Sequence, residues 1–388
     1  MKHISLALLT TLGLTMGLNA HAQQSEQPIN PVVTAVPSLQ ITPDARAAGL
    51  GDIGVSTTAD PYAQYWNPAK YAFASSKAAF SMSYTPWLSQ LVDDIALMQA
   101  VGYYKIGSED NQALGASLRY FTMGKFVKFD ALGTNIGEAH PNEFAVDLSY
   151  SLKLSPEFSM AVGLRYIYSD QNVDKQYPAG SAFAADLAGY MNKYIMLAGA
   201  ESLWKVGFNL KNLGSKISFD DGASNSFIPA NLGLGTGILY PIDEYNMISF
   251  NVEANKLLVP TRPLRTEGMT KEEENKLYDD YRNTSSVSGI FKSFTDAPGG
   301  FSEEMKEVRW SFGAEYSYND QFFLRAGYSY LHPTKGNLQG FTAGAGFKMS
   351  AFRIDASYLM STVQNNPLDQ TLRFSLAFDM EGLRNLFR

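Results

Sequence analysis

Apolar and polar residues alternate along this chain from Ala78 almost to its end. In FSMAVGLRYIY, Phe158, Met160, Val162, Leu164, Tyr166 and Tyr168 fall on one side of an extended strand and Ser159, Ala161, Gly163 and Arg165 on the other, because successive side chains point to opposite faces. WKVGFNLK sets Trp204, Val206, Phe208 and Leu210 against Lys205, Gly207, Asn209 and Lys211, and LRFSLAFDM repeats the pattern near the end. A chain of this kind folds as all-β antiparallel sheet with one apolar side.

A soluble sandwich alternates too, so the second face decides. Here it is small or charged, as at Arg119, Asp147, Arg165, Asp186, Glu253, Glu315, Arg325, Arg353, Asp355, Arg373 and Asp379, which suits the polar lumen of a transmembrane barrel. Tyr, Trp and Phe near the segment ends suit interfacial girdles. Residues 1–22 join Met1-Lys2-His3, an apolar run and Ala20-His21-Ala22, the three parts of a secretory signal peptide. That run, about fifteen residues, is short of the roughly twenty a spanning helix needs. The mature chain is expected to begin at Gln23. The absence of Cys leaves neither a lipid-modified N-terminal Cys nor a disulfide framework.

Alternating segments run at 78–84, 95–105, 112–123, 142–153, 157–169, 181–190, 201–212, 229–240, 246–256, 307–318, 321–331, 338–348, 351–361 and 370–380. Fourteen is an even number, as bacterial single-chain barrels require. The second segment, IALMQAVGYYK, alternates least well. Links after even segments are short (GSEDN, SPE, PIDEYN, ND, MSA) and most of the others are longer, matching periplasmic turns and outer loops. Asn192 to Gly199 reads as a longer inner link and His332 to Asn337 as a short outer one.

Fourteen strands enclose more space than side chains fill, since about eight strands is already the filled size. Residues 23–76 are therefore expected to form an N-terminal periplasmic segment and a lumen plug, with the barrel at 77–388. In TPDARAAGLGD, Thr42 reads as a helix cap, Pro43 as the first position and Gly49 or Gly51 as terminator; in DPYAQYWNPAKYAF, Asn67 caps a second turn opened by Pro68. Inward Gly, as at Gly233, Gly235 and Gly237, leaves room for a backbone against the wall. Arg46, Asp52, Asp60 and Lys70 are expected to pair with inward charges, because an unpaired charge in a closed lumen is costly. Trp66 belongs to the same plug.

One long outer loop spans 257–306. TKEEENKLYDDYRN starts a helix at Thr270 with acidic residues in the first turn. Phe291, Phe294 and Phe301 flank an Ala-Pro-Gly-Gly turn at Pro298, and Ser302 reads as the cap of a last helical turn. Exposed aromatics around a rigid turn make partner contacts, although the same loop also reads as a lid over the mouth. In the loop after the third segment, Phe126 and Phe129 stand next to Lys125 and Lys128 and offer a second contact surface.

The formal charge of −7 argues against a nucleic-acid partner. His140 and His332 alone survive signal removal, and no nucleophile, zinc or nucleotide-loop spacing stands out. An enzyme, a cofactor and a metal site are not expected.

RAAGLGDIGVSTTADPYAQYWNPAKYAF resembles the plug of the FadL-like outer-membrane proteins, and SVSGIFKSFTDAPGGFSEEMKEVRWSFGAEY resembles the outer loop of the PorV family of the type IX secretion system. The resemblance implies an outer-membrane barrel of fourteen strands that is not an enzyme. Its implied partners are secreted cargo with C-terminal signal domains, a large outer-membrane translocon, and a sortase-like (PorU-like) attachment complex that joins cargo to lipopolysaccharide. The tail EGLRNLFR departs from barrels that stop at a strand-terminal aromatic. Two other readings compete. A FadL-type transporter of hydrophobic small molecules would line a pocket with Tyr62, Tyr65, Trp66 and Tyr71, and a diffusion porin would need an open lumen.

Overall fold

The computed structural model describes residues 29–386 apart from 93, 108, 131, 172–177, 221, 223, 266 and 267; the expected signal peptide at 1–22 lies outside the described residues. The strands are β1 (Ala78–Pro86), β2 (Ile95–Ile106), β3 (Gln112–Met123), β4 (Phe126–Phe129), β5 (Asn135–Ala139), β6 (Asn142–Lys153), β7 (Phe158–Asp170), β8 (Gly180–Leu197), β9 (Ala200–Gly214), β10 (Asn231–Pro241), β11 (Asn246–Leu257), β12 (Arg309–Tyr318), β13 (Phe322–Tyr330), β14 (Gln339–Lys348), β15 (Phe352–Ser361) and β16 (Leu372–Asp379). All but β4 and β5 close into one antiparallel barrel of fourteen strands, each beside its sequence neighbours, with β1 paired to β16 at the seam. The expected segments and the fourteen barrel strands coincide one for one.

Register follows the pattern. Asp147 on β6 faces Arg165 on β7, and Val146 faces Tyr166, so each step along the pair alternates a polar inward couple with an apolar outward one. Large outward side chains stand free: Leu164 is 71% and Phe183 70% exposed. A continuous apolar surface of this kind is stable against hydrocarbon and not against water. Tyr84, Tyr120 and Phe341 lie toward one rim and Tyr104, Tyr318 and Phe322 toward the other, where aromatic girdles belong. The strand that alternated poorly, β2, mixes apolar and polar residues on its inner face: Leu97 packs on Ile41 and Phe121 and Tyr103 stacks on Tyr71 at 4.6 Å, beside the buried Gln99 and Lys105.

Links at one rim are 107–111, 154–157, 198–199, 242–245, 319–321 and 349–351; at the other they are 87–94, 124–141, 171–179, 215–230, 258–308, 331–338 and 362–371. The long-link rim is the outer one by the usual asymmetry. Both apparent exceptions disappear. The stretch 192–199 is not a long link, because β8 and β9 extend together to a two-residue turn at Ala198 and Gly199; the link 331–338 is as long as 87–94. One element went unforeseen: β4 and β5 form a hairpin inside the loop after β3.

The helices are α1 (Ala45–Ala48), α2 (Ala63–Trp66), α3 (Lys271–Asn283), α4 (Ser286–Lys292), α5 (Phe301–Lys306) and α6 (Met380–Leu386), the last formed by the C-terminal tail. Two caps differ from expectation. Asp44, not Thr42, caps α1 by accepting from the Ala47 N–H, and α5 starts from Gly300, so Ser302 lies inside it. Thr270 caps α3 in a full capping box with Glu273, and Asn67 caps the 3-10 turn Pro68–Phe73 as expected.

Candidate functional site

Residues 36–76 occupy the lumen, and they are held there from all sides. Ser375 on β16 accepts from the Ala45 N–H at 2.9 Å, and Glu253 on β11 accepts from the Gly54 and Val55 N–H groups at 2.9 and 2.8 Å. Arg119 on β3 donates to the Ser38 and Ile41 carbonyls at 2.7 and 3.0 Å. Ser159 on β7 donates to the Ala69 carbonyl at 2.7 Å, and Asn67 donates to the Gly189 carbonyl on β8 at 2.9 Å. Backbone groups that a short helical segment leaves orphaned thus find partners on the wall.

Close approach depends on wall glycines. A Cβ on Gly327 of β13 would lie 2.2 Å from the Gly51 nitrogen and the Leu50 carbonyl carbon, and one on Gly207 of β9 would lie 2.4 Å from the Val55 oxygen. Gly49 sits against Gly344, and Gly51, at φ +76°, against Tyr328. Of the three glycines singled out on β10, Gly233 and Gly235 face Val55 and Ser56, whereas Gly237 faces Asn251 of the neighbouring strand.

The electrostatic centre is Arg46. Its guanidinium donates to Asp60 at 2.6 Å, to the Thr58 hydroxyl and carbonyl at 2.6 and 3.1 Å, and to both Glu315 oxygens at 3.0 and 3.3 Å. Glu315 also accepts from Arg325 at 2.6 Å; Arg325 lies 2.9 Å from Asp355, off the line of a hydrogen bond, and Asp355 accepts from Arg353 and from the Tyr62 hydroxyl. The network runs from the lumen segment across β12, β13 and β15, with Arg46, Asp60, Glu315, Arg325 and Asp355 buried and Thr58 and Arg353 partly so. Of the four segment charges, Arg46 and Asp52 reach the wall, Asp52 to Arg309 at 3.4 Å; Asp60 and Lys70 pair within the segment. Trp66 donates to Asp44 at 2.7 Å and Pro68 is buried at the first position of its turn.

The outer loop has its own fastening, which no local sequence pattern announces. Lys335, from the link 331–338, donates to Glu303 at 2.5 Å and Glu307 at 2.9 Å, and Lys256 at the end of β11 donates to Glu304 at 2.8 Å and Glu307 at 2.7 Å. Burial opposes the charge on Lys335, yet its two carboxylate partners prevail and hold the ammonium above its ordinary range. Burial and the nearby Glu304 push the Asp296 carboxyl up to about 6. Outside this clamp Phe291, Phe294, Pro298 and Phe301 are exposed, Phe301 at 78% and Phe291 at 73%. Phe126 and Phe129 are exposed on the β4–β5 hairpin.

Residues 29–35 lie among the outer loops, not on the periplasmic side: the Asn30 N–H donates to the Thr334 carbonyl at 2.8 Å and the Ala35 N–H to the Phe227 carbonyl at 2.8 Å. Below them is a cavity of about 220 Å3 lined by Leu39, Tyr65, Lys211, Leu257, Leu331 and Leu338. Of the aromatics expected around a ligand, Tyr65 reaches it; Tyr62, Trp66 and Tyr71 are buried elsewhere, Tyr62 on Asp355, Trp66 on Asp44 and Tyr71 on Tyr103.

No curated protein matches the chain. Among solved structures it is similar to the Pseudomonas putida toluene transporter TodX (11% identity over 91% of this chain and 99% of that one, TM-score 0.48), the Ralstonia pickettii toluene transporter TbuX (12%, 88% and 98%, 0.43) and a Pseudomonas aeruginosa FadL homologue (12%, 90% and 99%, 0.43). Likeness of that size says nothing of what this barrel handles. The family described as type IX secretion system protein PorV matches residues 22–264, more than half of the 388. This chain is an outer-membrane β-barrel and belongs to the PorV family of type IX secretion system proteins.

Proposed function

We propose that this barrel binds the C-terminal signal domains of exported cargo and shuttles them from a large outer-membrane translocon to a sortase-like attachment complex, where cargo is joined to lipopolysaccharide. The observation that carries the reading is the filled lumen. With Arg46, Glu253 and Arg119 tying residues 36–76 to the wall, the segment acts as a plug, and recognition falls to the outer surface. The clamped loop 258–308 offers Phe291, Phe294, Pro298 and Phe301 for it, and the hairpin offers Phe126 and Phe129. Aromatic anchors of this kind dominate interface energies.

The test is Phe291→Ser, Phe294→Ser and Phe301→Ser together. The barrel should keep its heat-modifiable mobility while surface display of cargo falls several-fold; undiminished display removes the loop from the proposal. Gentle purification followed by mass spectrometry should recover several secreted proteins that share a C-terminal domain. Recovery of the barrel with bound lipid alone would favour the second reading, transport of hydrophobic small molecules, for which the cavity at Leu39, Tyr65 and Leu257 is the supporting observation.

A further inference from the structure

A second cavity of about 250 Å3 opens at the outer rim, between the start of the lumen segment and the ends of β12 to β16. Its lining contains three polar side chains without a hydrogen-bond partner among the described residues, and of their atoms the Arg373 Nε is wholly enclosed. Arg373, on β16, is 4% exposed, and among the described residues its guanidinium has neither a hydrogen-bond nor an ion-pair partner. Thr42 and Ser329, 3% and 8% exposed, line the same space, and their hydroxyls have no partner among the described residues. Every other buried arginine on the inner wall has a carboxylate or carbonyl in contact. An unpaired buried guanidinium is costly, and buried unsatisfied groups ask for a missing water or ion.

The side chains that line the cavity carry an excess of one positive charge, and Asp44, beyond the lining, also acts on Arg373 without an ion-pair contact. Arg309 and Arg373 face it with Asp52, which already contacts Arg309 at 3.4 Å. The lining also includes the apolar Ile41, Trp87, Leu359 and Leu368, with the amides Gln40, Gln339 and Asn366 among them. The volume lies below the roughly 300–1,000 Å3 of sites for drug-sized ligands.

We propose that this cavity is a site for a small oxyanion of single charge carrying a short apolar substituent, held by the Arg373 guanidinium and the Thr42 and Ser329 hydroxyls. Guanidinium suits carboxylate and phosphate geometry through paired N–H bonds, and each hydroxyl donates one more. The site stands apart from the loop aromatics, so it holds or fails independently of the cargo role.

Ligand-observed saturation-transfer NMR on the full chain in deuterated detergent tests it, with butyrate and dimethyl phosphate as probes and tetramethylammonium as the cationic control. Saturable transfer to either anion, with tetramethylammonium silent, is expected. Affinity should fall at least tenfold in Arg373→Gln and survive in part in Arg373→Lys. A response to butyrate alone assigns a free acid, and one to dimethyl phosphate alone a phosphodiester headgroup; each supports the site. Silence of both anions, or unchanged affinity in Arg373→Gln, overturns it and leaves the cavity to water. Should Arg373→Gln lose its heat-modifiable mobility, Thr42→Val with Ser329→Ala takes its place, with the same expected loss.

Discussion

Arg46 and Glu315 meet inside the barrel through two hydrogen bonds, at 3.0 and 3.3 Å, one residue from the N-terminal segment and the other from β12. The pair, both members buried, couples the filling to the wall. Removing one partner of a buried pair costs about 3–5 kcal/mol, because the survivor stays buried and uncompensated. Glu315→Ala takes a carboxylate from Arg325 as well as from Arg46, leaving Asp355 beside the one and Asp60 on the other, so it should loosen the segment more than Arg46→Ala does. Hydrogen exchange over residues 44–60 is the measurement, and single-channel recordings should show brief openings in the same order.

Gly327 has backbone, not a flexible side chain, where its Cβ would be. Gly327→Ala must therefore push Leu50 and Gly51 away from the wall. Overpacking of this kind costs about 1–3 kcal/mol. The expected result is a barrel that still folds but whose segment is cut by added protease faster than wild type; equal cutting would show that the wall yields instead.

Lys335 is buried between Glu303 and Glu307. Lys335→Met should free the outer loop while leaving its aromatics untouched. Exchange of amides in 286–306 should rise by an order of magnitude or more, with β12 and β13 unchanged. Cargo display should fall with it if the loop must be held in place to bind.

Asp296 makes docking of that loop depend on pH. Its carboxyl, raised from 3.8 to about 6, takes a proton more readily when docked than when free. The docked state therefore gains stability as pH falls from 7 through 6 and loses it again on the way up. His332, held below its ordinary 6.5 by burial and by Lys306 and Lys335, acts with the opposite sign. The difference between wild type and Asp296→Asn isolates the carboxylate: the variant, which keeps an acceptor for the Thr261 N–H, should lose the tightening between pH 7 and 5.

Strands were legible because a barrel wall has two unlike solvents, so the period of two survives in almost every segment. It failed at β2, where the inner face meets apolar parts of the segment: Leu97 and Tyr103 pack on Ile41 and Tyr71, so apolar residues stand beside Gln99 and Lys105 on that side. Local chemistry also named Asn67, Pro68 and Arg46. It misassigned Thr42 because Asp44 offers a better acceptor to the Ala47 N–H, and it misassigned Ser302 because Gly300, at φ +65°, already starts the turn. The clamp of Lys256, Lys335, Glu303, Glu304 and Glu307 joins β11, one loop and another loop, and Arg373 is conspicuous only through what it lacks. Such features arise where distant segments meet, and no short window of sequence contains them.

β1 follows directly from the lumen segment and is also one lip of the seam with β16. The chain enters at the outer rim near Asn30, crosses the whole lumen and leaves at the inner rim as β1. A finished cylinder would have to be threaded to reach that arrangement. Wrapping the sheet around residues 36–76 before β1 and β16 join avoids that threading, because the strand that follows the segment is also the one that closes the wall.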